Sequence, residues 1–189
     1  MRRRIFVAIN LPENTKQTLG DLRQKWPELP ARWTNPQNLH ITLAFLGYLQ
    51  DEELVDALKI AKETSGNHPS FPVKLSRVCY GPPGKMPPRM VWAMGDSSEE
   101  FSALKDYLDK SFSESAQVRN IREKRESRAH ITLARIKQWE FRRIEPEERP
   151  TIDEDIDLSF PVGSIEVMES RLKKGGPEYD VIESMSLGQ

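Results

Sequence analysis

The pentapeptide His-Ile-Thr-Leu-Ala occurs twice in this chain, at residues 40–44 and again at residues 130–134. The two copies contain two of the three histidines among the 189 residues. In each copy polar His and Thr alternate with apolar Ile and Leu, and this period of two is typical of a half-buried strand. Because successive side chains of a strand point to opposite faces, each copy presents an imidazole and a hydroxyl side by side.

Two imidazoles and two hydroxyls that face each other suit in-line displacement at a phosphodiester. An imidazole titrates near pH ~6.5, so a pair can hold one proton at neutral pH, with one ring as base and the other as acid. His40 and His130 would then exchange protons with an attacking water and a departing sugar oxygen. The hydroxyls of Thr42 and Thr132 can donate hydrogen bonds to the non-bridging oxygens. This scheme requires no metal.

The composition indicates what kind of protein carries this site. With 37% hydrophobic and 30% charged residues, the chain fits one globular domain, residues 1–189, that buries its own core. No apolar run approaches the ~20 residues that span a bilayer, so we expect no membrane insertion. A single cysteine, Cys79, cannot form an internal disulfide, which favours a cytoplasmic location.

Charge is unevenly distributed, although the net charge of −1 argues against a generally basic surface for nucleic acids. Residues 119–128 hold five basic and two acidic side chains, and residues 74–89 hold four basic and no acidic ones. The run at 119–128 is either a solvated loop or a contact for an RNA backbone, which would make binding salt-dependent.

Strand-like and helical patterns alternate along the chain. Helices are predicted over 13–26, over 51–64, and from a capping box at Ser97 and Glu100 to Phe112. Strands are predicted over 5–11, 38–46, 71–80, 89–95, 128–136, 156–172 and 178–187. Short turns between neighbouring strands indicate antiparallel pairing. The pattern predicts an α+β fold with two antiparallel sheets, each backed by helices, related by a rough two-fold axis that brings the motif strands together.

The paired motifs resemble those of the 2H phosphoesterases, a superfamily named for two His-x-Thr-x motifs. Within it the chain looks most like the bacterial and archaeal RNA 2′,3′-cyclic phosphodiesterases, long labelled 2′-5′ RNA ligases. The resemblance covers nearly the whole chain and rests on the motifs and on the segments 4–9, 33, 38–47, 91–93, 130–135, 169–172 and 176–179. Ala129 departs from the pattern, because many relatives have Pro before the second His.

The resemblance implies hydrolysis of an RNA-terminal 2′,3′-cyclic phosphate to a 2′-phosphate, without a metal or other cofactor. It implies a bilobal fold with the site in a central groove. His40 would be the general acid and His130 the general base, while Thr42 and Thr132 would bind the phosphate. The expected partners are RNA ends or nucleotides that carry the cyclic phosphate, with no membrane and no obligate protein partner.

The resemblance also implies that Phe45 and Arg135, each five residues after its His, flank the terminal nucleobase. Stacking of a base on such a side chain contributes on the order of 1–3 kcal/mol and tolerates any base. In an ideal strand both residues have the opposite parity to the histidines and lie roughly 16 Å away, so we do not expect them to contact the phosphorus together with the imidazoles unless the strand bends. His68, in a polar turn, is expected to be solvated and without a role.

Three alternatives remain open from the residues. A metal site at His40 and His130 would need carboxylate or cysteine ligands, and no ligand-spaced cluster accompanies the motifs. A second possibility is a module that binds RNA or a nucleotide without turnover. A third keeps the chemistry on another substrate: the cyclic phosphate of a small nucleotide or ADP-ribose derivative, or reversible 2′-5′ ligation.

Overall fold

A computed structural model describes residues 2–96, 98–116, 118, 128–174 and 176–188. The described strands are β1 (Arg3–Asn10), β2 (Ala31–Trp33), β3 (His40–Leu49), β4 (Phe71–Gly81), β5 (Met90–Gly95), β6 (His130–Ile136), β7 (Asp153–Val162), β8 (Ser164–Lys173) and β9 (Gly176–Ser186). The helices are α1 (Glu13–Asp21), α2 (Asp51–Gly66), α3 (Glu99–Glu114) and the short α4 (Gln138–Arg142). None of the helices in these ranges is long and apolar enough to cross a membrane.

The strands form one antiparallel sheet in the order β7-β4-β5-β6-β3-β1-β8-β9, with β2 paired to β6. The predicted α+β class and antiparallel pairing are confirmed. The two predicted sheets are joined at the centre, where β3 and β6 share the single residue pair Ile41–Ile131. The two halves, β3-β1-β8-β9 and β6-β5-β4-β7, therefore meet at the two motif strands.

Each motif strand follows the same arrangement of elements. β1, α1 and β3 form one unit and β5, α3 and β6 form the other, and in each unit the motif strand pairs antiparallel with the first strand. The Ile and Leu of both motifs are almost fully buried, and α2 and α3 pack on each other and on strands of the sheet. This apolar core fixes the backbone of both motifs and leaves the His and Thr side chains on the opposite face.

Several element boundaries differ from the sequence expectations. The first helix ends at Asp21 and continues as a 3₁₀ turn, and β2, with only three residues, carries too little periodicity to be predicted. The single strand predicted over 156–172 is two strands interrupted at Gly163, and the first of them pairs with β4 at the far edge. The cap of α3 is Ser98, whose Oγ accepts a hydrogen bond from the Phe101 amide, while Ser97 lies outside the described residues.

Candidate active site

His40 is the first residue of β3, and its ring is held at both nitrogens. Nδ1 lies 2.7 Å from the carbonyl oxygen of Asn38, and Nε2 lies 3.0 Å from Oγ1 of Thr42. Since a carbonyl can only accept, Nδ1 carries the hydrogen, and in the neutral ring Nε2 has the free lone pair. The backbone thus orients His40 so that Nε2 is the atom available for proton transfer.

Aromatic rings surround His40 on the groove face. Phe6 and Tyr179 each place a ring centroid 5.1 Å from that of His40, and Tyr179 meets it edge-on at 89°. Burial lowers the pKa of His40 below its usual 6.5, the hydrogen bond to Asn38 opposes this shift, and the positive charges of His130 and Lys16 add to it. His40 is therefore predominantly neutral at pH 7 in the free protein.

His130 is the first residue of β6 and is positioned mainly by one large ring. It stacks on Trp92 of β5 with centroids 4.1 Å apart and planes inclined by 27°. Its Nδ1 lies 3.4 Å from the carbonyl of Arg128, the same relation in sequence as His40 to Asn38 but a longer contact. Trp92, only 7% exposed, donates from its indole nitrogen to the sulfur of Met90.

The two motifs converge because of the central pairing of β3 with β6. With Ile41 opposite Ile131 in an antiparallel pair, the register sets His40 across from Thr132 and His130 across from Thr42. All four side chains line one groove of about 1000 Å³. The structure therefore brings together the four residues that the repeated sequence singled out.

Phe45 and Arg135 also line this groove, although an ideal strand would place them on the face opposite to the histidines. A register shift in the pairing of β3 with β1 falls between Thr42 and Ala44, and one in the pairing of β6 with β5 falls between Thr132 and Ala134. A bulge adds one residue and reverses the parity of the residues after it. Both motif strands, β3 and β6, contain such a bulge at the same point, directly after the Thr of the motif.

Other groove residues are hard to identify from the sequence. The sequence favours a core position for Trp33 and Trp92; Trp92 is buried and Trp33 packs against the core, and both also line the groove. Tyr179 reaches it from β9, next to Pro177, whose carbonyl accepts a hydrogen bond from the Asn38 side chain. Four cationic side chains also line the groove: Arg32, Lys85, Arg89 and Arg135. Of these residues, Arg32 belongs to no segment that the sequence singled out, and only the three-dimensional structure places it in the groove together with Lys85 and Arg89 of the basic segment 74–89.

Two further expectations concern residues away from the groove. His68 is not simply solvated: its Nδ1 lies 2.9 Å from the Thr64 carbonyl near the end of α2, and its ring packs edge-on against Tyr107. Residues 119–127 of the basic run 119–128 lie outside the described residues. In the part of the chain that is described, no three His, Cys, Asp or Glu side chains are grouped so as to hold a metal ion.

Comparison with known proteins identifies the family of this chain. A family model described as LigT-like phosphoesterase matches residues 9–92. The chain is 30% identical, over 97% of its length and 90% of the relative's, to the RNA 2′,3′-cyclic phosphodiesterase of Thermus thermophilus. A protein of the same name from Methanocaldococcus jannaschii is 25% identical over 95% of this chain and 98% of that one.

Solved structures show the same fold. The crystal structure of the Thermus thermophilus protein TT0787 superposes with a TM-score of 0.83 at 30% identity, over 98% of this chain and 99% of that one. Escherichia coli LigT, crystallised with 3′-AMP, shares the fold with a TM-score of 0.79 at 24% identity over the whole of both chains. A curled antiparallel sheet with a His-x-Thr pair on each of two central strands defines a 2H phosphoesterase. The chain belongs to the LigT-like phosphoesterase family of that superfamily.

Proposed function

We propose that this protein is an RNA 2′,3′-cyclic phosphodiesterase, which hydrolyses a terminal 2′,3′-cyclic phosphate to a 2′-phosphate by a two-histidine mechanism. The observation that carries the proposal is the pairing of Ile41 with Ile131, which sets the two His-x-Thr pairs head to tail in one groove. Residues 1–189 act as one catalytic domain in this proposal, because each half contributes one pair.

The reaction uses each histidine once. His130 accepts a proton from the attacking water as its oxygen bonds to phosphorus, and His40 donates a proton to the 3′ oxygen as the P–O3′ bond breaks. The Thr42 and Thr132 hydroxyls donate hydrogen bonds to the non-bridging oxygens and stabilise the charge that develops there. We assign the acid to His40 and the base to His130 because the family resemblance implies this direction.

In this proposal, the negative charge of the bound substrate favours the protonated form of His40, the general acid. In the free protein burial lowers the pKa of His40, and Thr42 bonds its Nε2. An anionic cyclic phosphate beside the ring favours the imidazolium and so raises this pKa on binding. Thr42 can then turn from the ring to the phosphate, leaving Nε2 to face the departing oxygen.

Phe45 and Arg135 hold the terminal nucleobase in this proposal. The bulges place both side chains on the groove face, beyond the histidines along their strands. The Phe45 ring on one side and the Arg135 guanidinium plane on the other would stack on a base without distinguishing one base from another. The proposed partners are accordingly RNA ends or nucleotides with a 2′,3′-cyclic phosphate, in a cytoplasmic setting consistent with Cys79 being the single cysteine.

The decisive experiment is to incubate the protein with an oligoribonucleotide that ends in a 2′,3′-cyclic phosphate, in the presence of EDTA, and to identify the product. We expect a 2′-phosphate, since O3′ is the leaving group, and no effect of the chelator. Formation of a 3′-phosphate would contradict the leaving-group assignment, and loss of activity with EDTA would contradict metal independence. Binding without any product would support a binding module instead.

A further inference from the structure

Positive charge is concentrated at the end of the groove beyond the motifs. Arg135 of β6 pairs with Arg32 of β2 on one side and, on the other, with Met90 of β5, the residue after Arg89. Like charges directly opposite each other destabilise a sheet. Lys85, from the segment that joins β4 to β5, lines the same groove, and all four cationic side chains are exposed.

Within the described residues, the groove carboxylates do not pair with Lys85, Arg89 or Arg135. Glu178 and Asp180 also line the groove, but they form ion pairs with Lys173 at 2.5 Å and with Arg171 at 3.2 Å. Within the described ranges, the side chains of Lys85, Arg89 and Arg135 form no ion pair with a carboxylate. An exposed cluster of this kind raises the local concentration of anions and favours a polyanion.

This cluster is too far from the histidines to hold the same phosphate. Arg135 is five residues beyond His130, and because one residue is taken up by the bulge the strand advances roughly 13 Å at 3.3 Å per residue. The groove volume of about 1000 Å³ is at the upper end for a small-molecule site. An anion bound at the cluster is therefore a second one, separate from the cyclic phosphate.

We propose that Lys85 and Arg89, beside the Arg32–Arg135 pair, bind backbone phosphates of the nucleotides that precede the cyclic-phosphate end. The protein then prefers an oligonucleotide end to a free nucleoside 2′,3′-cyclic phosphate. This inference rests on the proposed function and names the class of substrate for that same site.

The test compares two substrates: adenosine 2′,3′-cyclic phosphate and a hexanucleotide that ends in the same group. We expect Lys85→Ala/Arg89→Ala to lower the ratio of kcat/KM for the hexanucleotide to that for the mononucleotide about tenfold. Each phosphate contact to a single strand contributes roughly 0.7 to the slope of log affinity against log salt. The salt slope for the hexanucleotide should therefore become shallower by about 1.4, since two contacts are removed.

A charge-matched control is Arg23→Ala/Lys62→Ala, which removes two exposed cations outside the groove. We expect it to leave the ratio within about twofold of the original. An unchanged ratio in the Lys85/Arg89 variant, or an equal fall in both double variants, would overturn the inference.

A binding measurement separates this inference from the proposed function. If the original protein hydrolyses neither substrate, the proposed function fails, and fluorescence anisotropy with a labelled hexanucleotide ending in a 3′-phosphate decides the inference. Binding about tenfold weaker in the Lys85/Arg89 variant than in the control variant supports the phosphate subsite. Equal binding by the two variants overturns it.

Discussion

The two copies of His-Ile-Thr-Leu-Ala have the same sequence, the same position at the start of a central strand and the same bulge after the Thr, but different surroundings. His40 lies among Phe6, Tyr179 and Thr42 and is held by a 2.7 Å hydrogen bond to a backbone carbonyl. His130 stacks on Trp92, and its corresponding backbone contact is 3.4 Å long.

The comparison shows that the backbone determines where the two imidazoles lie, whereas the neighbouring side chains influence the pKa and the orientation of each ring. Burial lowers the pKa of His40, and ring stacking orients His130. In the proposed mechanism, one imidazole acts as acid and the other as base, and these two roles need unequal environments although the motifs are identical. Substitutions on each side can test whether the two halves are as unequal in function as they are in structure.

The largest effect is expected from removing either imidazole. His40→Ala and His130→Ala should each lower turnover of a cyclic-phosphate oligonucleotide by about 10²–10⁴, the usual contribution of general acid–base catalysis. His68→Ala is the matched control, since His68 lies outside the groove, and it should retain nearly full turnover. Near-normal activity of either motif variant, with the fold intact by circular dichroism, would contradict the assigned roles.

A smaller effect is expected from removing one hydroxyl while keeping the side-chain shape. Thr42→Val and Thr132→Val should each lower kcat by about 10–10², at or below the loss measured for one transition-state donor elsewhere. Thr42→Val should also alter the titration of His40, because Thr42 contacts its Nε2. Thr18 is exposed and lies outside the groove, so Thr18→Val serves as the control. If Thr18→Val lowers kcat as much as the motif variants do, the loss is not specific to Thr42 and Thr132.

The Trp92 ring, on which His130 stacks, can be displaced without changing either motif. A Cβ at Gly81 would overlap the Trp92 ring, so Gly81→Ala must displace the indole or the chain beside it. We expect kcat to fall about tenfold, since misplacing a catalytic group by ~1 Å can cost 10²-fold. Gly66→Ala, where the added Cβ meets nothing within 4 Å, should leave kcat unchanged. Equal activities would show that stacking on Trp92 does not position His130.

The smallest expected effect is a shift in the pKa of His40. NMR of the free protein should give His40 a pKa below 6.5, because burial favours its neutral form, so its ring gains a proton only as the pH falls below that value. Inorganic phosphate should raise this pKa, since an anion stabilises the imidazolium. A free-protein pKa at or above 6.5, or a fall on adding phosphate, would contradict the electrostatic account of the His40 side.

Much of the candidate site could be predicted from one repeated pentapeptide. Alternation placed His and Thr on one face of a strand and Ile and Leu in the core, and burial in the structure agrees. Phe45 and Arg135 show the limit of that reasoning, because a bulge reverses strand parity and the local sequence does not reveal it. Their assignment came from the family resemblance, and their placement in the groove from the structure.

The sequence by itself determined the class of chemistry, the antiparallel α+β architecture and the identity of the two His-x-Thr pairs, because these depend on residue type and local periodicity. Only the tertiary structure decided that one pairing, Ile41 with Ile131, joins the halves, that Trp92 and Tyr179 flank different histidines, and that four cations line one groove. The physical reason is that strand register and the packing of distant segments depend on the whole core, and no stretch of neighbouring residues encodes them.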